Sequence, residues 1–244
     1  MSPRITIATA ARVMRQLRRD PRTIAMLLLV PCLLEVLLYY VLDGQPLVFQ
    51  RIGAPLLGIF PFISMFLVTA ITMLRERTTG TLERLMSMPL GKLDLLVGYG
   101  IAFGVVAAVQ AALTAGVAFG LLDLQVAGSE WAVAGLAIAN AILGMALGLF
   151  VSAFAQTEFQ AVQFMPAIVI PQLLLCGLLV SRDDMAGFLQ VVAAVLPLTY
   201  AYDGLERVTT TGFDSTALRD LLVVIGATLL ALALGATTLR RRTP

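Results

Sequence analysis

Four stretches of this chain, residues 52–74, 95–122, 132–157 and 159–181, contain no Asp, Glu, Lys or Arg. Each exceeds the ~18 to 20 apolar residues that carry a helix across a bilayer. The 244 residues are 59% hydrophobic and 13% charged, whereas an ordinary soluble domain has roughly 25% charged residues. No soluble core of this size hides so much apolar surface. The chain therefore reads as an all-α polytopic membrane protein, a single membrane domain over residues 1–244. Spans are expected at about 23–42, 53–74, 95–122, 131–154, 160–180 and 218–239.

Residues 185–202 form a seventh apolar candidate, interrupted by Pro197 and followed by the polar Thr199, Tyr200, Tyr202 and Asp203. Basic residues decide its status. Of the 17 Lys and Arg residues, Arg4, Arg12, Arg15, Arg18, Arg19 and Arg22 precede the first span, Arg75, Arg77, Arg84 and Lys92 follow the second, and Arg240, Arg241 and Arg242 follow the last. Six spans place all of these on one side and leave Arg51, Arg182, Arg207 and Arg219 on the other. The richer side is expected to be cytoplasmic and to hold both termini. A seventh span would put the last arginines outside. Residues 183–208 are thus expected to dip into the outer leaflet and return, an excursion tolerated where protein or a water-filled cavity covers irregular backbone.

Residues 4–19 suit an interfacial amphipathic helix. Ile7, Ala10, Ala11, Val13, Met14 and Leu17 share one face, and Arg4, Arg12, Arg15 and Arg19 share the other, with Arg18 at the border. Its arginines are expected to face lipid phosphates or a protein partner.

Small residues recur every four positions in the third span (Gly100, Gly104, Ala108, Ala112, Gly116, Gly120) and in the fourth (Asn140, Gly144, Gly148, Ser152). Such stripes let helix backbones approach closely, which supplies association energy in lipid. A four-residue step drifts about 40° per repeat, so the third span should touch more than one neighbour. Packing within the subunit is the expected use, with a subunit interface second. Pro31, Pro61, Pro166 and Pro171 predict bends in the first, second and fifth spans.

Several kinds of chemistry are disfavoured. The chain has no histidine, which removes the commonest general base and transition-metal ligand. Cys32 and Cys176 fall in apolar runs and read as small buried hydrophobes. No extended basic surface fits nucleic acid. The first apolar run ends in YYVLDGQP without an A-x-A pattern, so it is not expected to be a cleavable signal.

One polar block stands out, RERTTGTLERLMSMPL at residues 75–90. It leaves the second span, turns at Thr78–Gly80 and continues in the helix-prone TLERLMSM until Pro89 stops it. Gly80 suits an N-cap, with Glu83 near the positive end of the short helix. Leu82, Leu85, Met86 and Leu90 follow helical spacing where no bilayer remains for them to enter. They need a protein surface.

The run R-E-R-x-x-G-T-L-E-R-L-x-x-x-P-L, followed by Gly98, closely resembles the signature of permease subunits of type-2 ATP-binding-cassette exporters. The resemblance extends to Asp20, Pro21 and Arg22 before the first span, to CGLLVSRDDM after the fifth and to LPLTYAYDGLERV at 196–208. It is similar above all to the drug-efflux permeases of the daunorubicin-resistance type, with Tyr99 where a lysine is common. The resemblance implies a coupling helix within 75–94 that docks on a separate ATPase subunit, with Arg75, Glu76, Gly80, Thr81, Leu82, Glu83, Leu85 and Pro89 as its residues. It implies two permeases, identical or related, above two ATPases. It implies outer re-entrant helices before the sixth span, and a cavity lined by the second and fifth helices with Phe60, Phe62, Phe66, Phe164, Leu174 and Leu178 as candidates. The implied activity is export of a hydrophobic or amphipathic drug or lipid-like substrate, as in multidrug efflux and antibiotic resistance, across a bacterial cytoplasmic membrane. The only Gly-Lys pair, Gly91 and Lys92, is followed by leucine, so the chain lacks a P-loop. It is expected to be no enzyme alone and to bind no cofactor or metal, ATP and Mg residing on the partner.

Glu35 is the one acid well inside a span, where a charge costs roughly 2.5 to 3.5 kcal/mol on insertion scales. It either attracts a cationic part of a substrate or hydrogen-bonds to tyrosines or Arg51. Two other classes stay open. An ion-coupled secondary transporter normally needs several intramembrane ionisable residues, and a non-transporting assembly or sensor protein leaves the apolar face of the 80–88 helix without a purpose.

Overall fold

The computed structural model describes residues 2–86 and 91–238. These residues form ten α-helices: α1 (Pro3–Arg18), α2 (Pro21–Val41), α3 (Pro46–Thr78), α4 (Thr81–Met86), α5 (Lys92–Gly120), α6 (Glu130–Val151), α7 (Glu158–Leu175), α8 (Gly187–Val195), α9 (Pro197–Thr210) and α10 (Ser215–Thr238). Six of them, α2, α3, α5, α6, α7 and α10, are long and apolar enough to cross a membrane. Helices α8 and α9 meet at 88°, so they form no straight crossing and fit a re-entrant pair. The protein is a multi-pass membrane protein.

Local chemistry sets the helix starts. The Asp20 carboxylate accepts from the Thr23 hydroxyl at 2.6 Å and from the Thr23 amide at 3.2 Å, and Pro21 fills the first helical position, where a missing N–H costs nothing. Those hydrogen bonds, the Thr23 hydroxyl foremost, hold the Asp20 carboxyl below its ordinary range. Pro46 and Pro197 open α3 and α9 in the same way, and the Asp214 carboxylate accepts from the Ala217 amide at 2.7 Å at the start of α10.

Helix α3 occupies the centre and touches α2, α5, α6, α7 and α9. Its 33 residues span about 50 Å at 1.5 Å each, well beyond the ~30 Å hydrocarbon core. Helices α2, α3 and α7 each continue as one helix through Pro31, through Pro55 and Pro61, and through Pro166 and Pro171. Neighbouring helices can re-satisfy the backbone groups that proline frees.

The closest approach is between α3 and α6. A Cβ at Gly144 would lie 2.3 Å from the Phe62 carbonyl oxygen, and one at Gly148 would lie 2.3 Å from that of Phe66. The Thr69 hydroxyl lies 3.1 Å from the Met145 carbonyl across this seam and 2.6 Å from the Met65 carbonyl in its own helix. The stripe in α6 therefore packs within the subunit. The stripe in α5 does not, which corrects the expectation: a Cβ at Gly100, Gly104, Gly116 or Gly120 would meet nothing within 4 Å. Helix α5 turns its other side inward, burying Phe103, Ala107, Ala111 and Ala118. The buried Gln110 amide, donating to the Leu27 carbonyl at 2.8 Å, fixes that rotation against α2.

At the α9 end of the bundle, ion pairs bind the bent pair to its neighbours. Arg182 reaches Asp203 at 2.7 Å. Asp220 of α10, with no exposed surface, lies 2.9 Å from Arg219 and 3.7 Å from Arg207 of α9. The Ala127 amide donates to the Thr209 carbonyl at 2.8 Å, and a Cβ at Gly128 would lie 2.4 Å from the Val208 carbonyl oxygen. Helix α9 is buried on most of its turns, with Leu198, Ala201, Leu205 and Val208 inside.

Replacing Gly144 with alanine should lower stability by about 1–3 kcal/mol, the usual cost of overpacking. Replacing Gly100 with alanine should be neutral or gain up to ~1 kcal/mol from helix propensity. Thermal unfolding of the purified chain in detergent compares the two, and equal effects would contradict the assignment of the tight seam to α3 and α6.

Candidate functional site

The polar block begins on the last turn of α3. Consecutive helical residues are ~100° apart, so Arg75, Glu76 and Arg77 point in three directions. Each finds a different partner helix. Arg75 grips Glu158, the first residue of α7, as a fork, with Nε to Oε1 at 2.7 Å and Nη2 to Oε2 at 3.0 Å. Both side chains are more than half exposed, so the pair contributes about 0–1 kcal/mol and mainly sets geometry. Arg77 donates to the Thr238 hydroxyl of α10 at 3.4 Å. Glu76 is the buried member, with 3% of its side chain exposed, and lies 3.3 Å from Nη1 of Arg12 in α1.

Arg12 links three helices. Its Nη2 donates to the Tyr99 hydroxyl of α5, and its guanidinium carbon lies 5.6 Å from the centre of that ring. Helix α1 is further fixed to the start of α5 by Asp94, which is buried and accepts from the Ser2 amide at 2.9 Å and the Thr6 hydroxyl at 3.2 Å. The Gly98 that completes the motif is where the two helices cross. A Cβ there would lie 2.7 Å from the Thr9 side chain and 3.0 Å from the Thr6 carbonyl oxygen.

These contacts rotate α1 away from the expected face. Thr6, Thr9, Ala10, Val13 and Leu17 are buried, whereas Ile7 is 64% exposed and Ala11 is also exposed. Asp94 recruits Thr6, Thr9 meets the space left by Gly98, and Glu76 draws Arg12 inward. Polar complementarity to α5 and α3 outweighs the apolar count on the wheel. Arg12 engages the internal partners Glu76 and Tyr99 while part of its side chain stays exposed, so it does not face lipid or another protein alone.

After α3 the chain turns at Gly80, whose φ of +72° strains any side-chain-bearing residue. The Gly80 carbonyl accepts from the Arg84 amide at 3.1 Å, so Gly80 opens α4, followed by Thr81. The turn is tied back by the Thr79 hydroxyl, which donates to the Arg75 carbonyl at 2.7 Å. Leu85 is partly buried against a core cluster that includes residues of α1, α3 and α5. Part of the apolar side of α4 thus has its protein surface within this chain. The side chains of Leu82, Glu83 and Met86, and all of Leu90 and Pro89, lie outside the described residues.

A family model described as ABC-2 type transporter matches residues 5–208, from α1 to α9. The chain belongs to the ABC-2 type transporter family. It is 26% identical over 151 residues to the probable multidrug ABC transporter permease YbhR of Escherichia coli K12, a match that covers 61% of this chain and 40% of that one. It is 22% identical over 141 residues to ABC transporter G family member 20 of Dictyostelium discoideum, covering 58% of this chain and 19% of that protein. The matches thus span less than half the length of these curated relatives.

Within this ABC-2 type chain the other candidate residues are scattered. Phe62 and Phe66 have no exposed surface and belong to a core cluster with residues of α6, α7 and α9. Phe60, Phe164 and Leu178 are partly buried against the same cluster, and Leu174 is 48% exposed on α7. Glu35 is fully buried on α2, and neither carboxyl oxygen has a hydrogen-bond partner. The bond to a tyrosine or Arg51 that one reading of the sequence offered is not formed. Among the described residues no group of His, Cys, Asp and Glu could hold a metal ion. Cys32 and Cys176 are buried free thiols.

Reading by motif missed Arg12, Glu158 and Thr238, which hold the polar block from outside it, and Asp94, which fixes α1 to α5. Only Asp94 carried a local signal, standing as the first acid beyond the block. The others are brought in by topology.

If the Arg12–Glu76 contact is as tight as its burial implies, Arg12→Ala and Glu76→Ala should be non-additive, with a coupling of about 1–2 kcal/mol, between the ranges for exposed and buried pairs. A double-mutant cycle on thermal unfolding reads it directly. Strict additivity would remove this pair from the site.

Proposed function

We propose that this chain is the membrane-spanning permease subunit of an ATP-driven exporter, moving a hydrophobic or amphipathic small molecule out of the cell with energy from a separate ATPase subunit. The observation that carries this reading is the fan at Arg75, Glu76 and Arg77, which ties the root of α4 to α7, α1 and α10 at once. A displacement applied to α4 by a partner is thereby delivered to three helices rather than lost in a loop. The family match supports the presence of an ATPase partner, and the name of the YbhR relative supports a multidrug-type substrate.

In this mechanism two permeases face one another over two ATPases, which would hold the ATP and Mg. The basic end with α1, α4 and both termini faces the cytoplasm of a bacterial cell, and α8 and α9 face outward. Closure of the ATPases moves α4 and its fan, and the cavity beside α3 and α7 changes its access. Export requires that substrate and nucleotide favour different arrangements of these helices, because a ligand bound equally by both shifts nothing. Phe60, Phe164, Leu174 and Leu178 are then the first residues to meet an apolar substrate, with Phe62 and Phe66 joining only as α3 moves against its neighbours.

An ion-driven transporter and a non-transporting assembly protein both lack a use for this fan. Affinity purification of the chain from its own host should bring down a P-loop ATPase, and its absence in mild detergent would sink the proposal. Gly80→Val places a β-branched residue at a φ of +72°, at a cost of about 1–2 kcal/mol. Export should fall about tenfold while insertion and ATPase co-purification persist; unimpaired export would remove α4 from the mechanism. Glu35→Gln, assayed with one cationic and one neutral compound, should depress the cationic one alone if its carboxyl meets substrate, and equal losses would show a structural role.

A further inference from the structure

The outer side of α1 carries a feature that the coupling role does not use. A cavity of about 430 Å³ opens beside α1, and its described walls are Arg12, Arg15, Gln16 and Arg19. These residues follow the i, i+3, i+4, i+7 spacing of one helix face. Three guanidinium groups meet there against one acid, Glu76, which Arg12 already engages through Nη1. Arg15 spends its Nε on the Ala11 carbonyl at 3.3 Å and keeps its terminal nitrogens for another acceptor. A concave, net-cationic surface calls for an anion that presents several oxygen acceptors.

The level of the cavity identifies the source of that anion. At one end Arg12 sits against Tyr99, which belongs to the charge-free run 95–122 of a membrane-spanning helix. At the other end Arg19 stands two positions before Pro21, the first residue of the α2 span. Both ends therefore lie at the edge of the apolar layer, where phospholipid phosphates reside. Ile7, 64% exposed on α1, offers an apolar side chain to the same layer, as an interfacial helix requires.

We propose that this arginine cavity binds the phosphate headgroup of an anionic phospholipid, and that the bound lipid supports the Arg12–Glu76–Tyr99 contact beside the coupling segment. The lipid phosphate offsets the repulsion among Arg12, Arg15 and Arg19 and accepts from the terminal nitrogens that Arg15 keeps free. Guanidinium groups suit this role because their planar fork meets two phosphate oxygens at once. The site would distinguish phosphatidylglycerol from phosphatidylcholine, whose choline cation would sit among the arginines.

The test uses the full chain and Arg15→Gln/Arg19→Gln, which leaves Arg12, Glu76 and Tyr99 in place. Each is titrated in detergent with phosphatidylglycerol, phosphatidylcholine or glycerol 3-phosphate and followed by native mass spectrometry and thermal unfolding. The unaltered chain should retain one phosphatidylglycerol and unfold at higher temperature with it. Phosphatidylcholine should do neither. The double variant should bind phosphatidylglycerol at least fivefold more weakly, and Arg15→Lys/Arg19→Lys should recover part of the loss. Equal retention by variant and unaltered chain overturns the proposal. So does full stabilisation by glycerol 3-phosphate at matching concentration, which would assign the site to a soluble phosphate. A variant that keeps the lipid but loses its co-purifying ATPase would overturn it in favour of protein docking.

Discussion

The seam between α3 and α6 is the contact on which the rest of the bundle depends. In lipid, apolar side chains gain nothing by leaving one hydrocarbon environment for another, so helix association rests on close packing and interhelical hydrogen bonds. Gly144 and Gly148 bring α6 against the backbone of α3 at Phe62 and Phe66, and Thr69 adds a hydroxyl contact to the Met145 carbonyl across the same line. Everything else is placed from α3: α2 and α5 on one side, α7 and α9 on another. Because α3 runs unbroken from Pro46 to Thr78, the polar fan on its last turn is continuous with the seam, and a displacement there is carried along the central helix.

The two ends of the bundle solve the same problem with different chemistry. Beyond the apolar layer water competes for every hydrogen bond, so contacts there need charge, burial or both to persist. At the α9 end Asp220 is fully enclosed between Arg207 and Arg219, and the loop at Gly128 closes backbone to backbone on α9. At the α1 end the buried carboxylates are Glu76 and Asp94, each met by α1. The exposed Arg75–Glu158 fork, by contrast, can open at little cost. Helix α7 is thus loosely held at the fan, and like α10 it has only 17% of its apolar window buried within the chain.

Sequence made the spans and the polar block legible because both depend on composition over many residues, which neighbours cannot override. The six membrane helices and the bent pair at 88° follow from that. Rotation about each helix axis was much less legible. In α6 the small residues mark the packed face, yet in α5 an equally regular stripe points away from the chain's own helices. Nothing in a four-residue period says which neighbour, if any, will use it; Gln110 and Phe103, off the stripe, decide. The same holds for α1, where two threonines that reduce the apolar count form the buried face because Asp94 and Gly98 stand opposite. Arg12 could not be read as internal, since its acid lies 64 residues away in the chain. The turn at Gly80 was readable, because a glycine before a helix-prone run has few other uses.

Several buried polar groups keep the interior from being a uniform apolar solid. Glu35, both amide atoms of Asn140 and the side-chain carbonyls of Gln110 and Gln172 have no hydrogen-bond partner among the described residues. Each such group in a low-dielectric surrounding costs about 1–3 kcal/mol. Asn140 lies beside Gly58 of α3, where a Cβ would come within 3.0 Å of its amide nitrogen, so one of these uncompensated groups adjoins the central helix. Any arrangement that supplies them with acceptors, donors or water recovers part of that cost. The tight seam at Gly144 and the unsatisfied groups around it therefore act in opposition: one holds α3 in place, and the other lowers the penalty for moving the helices that surround it.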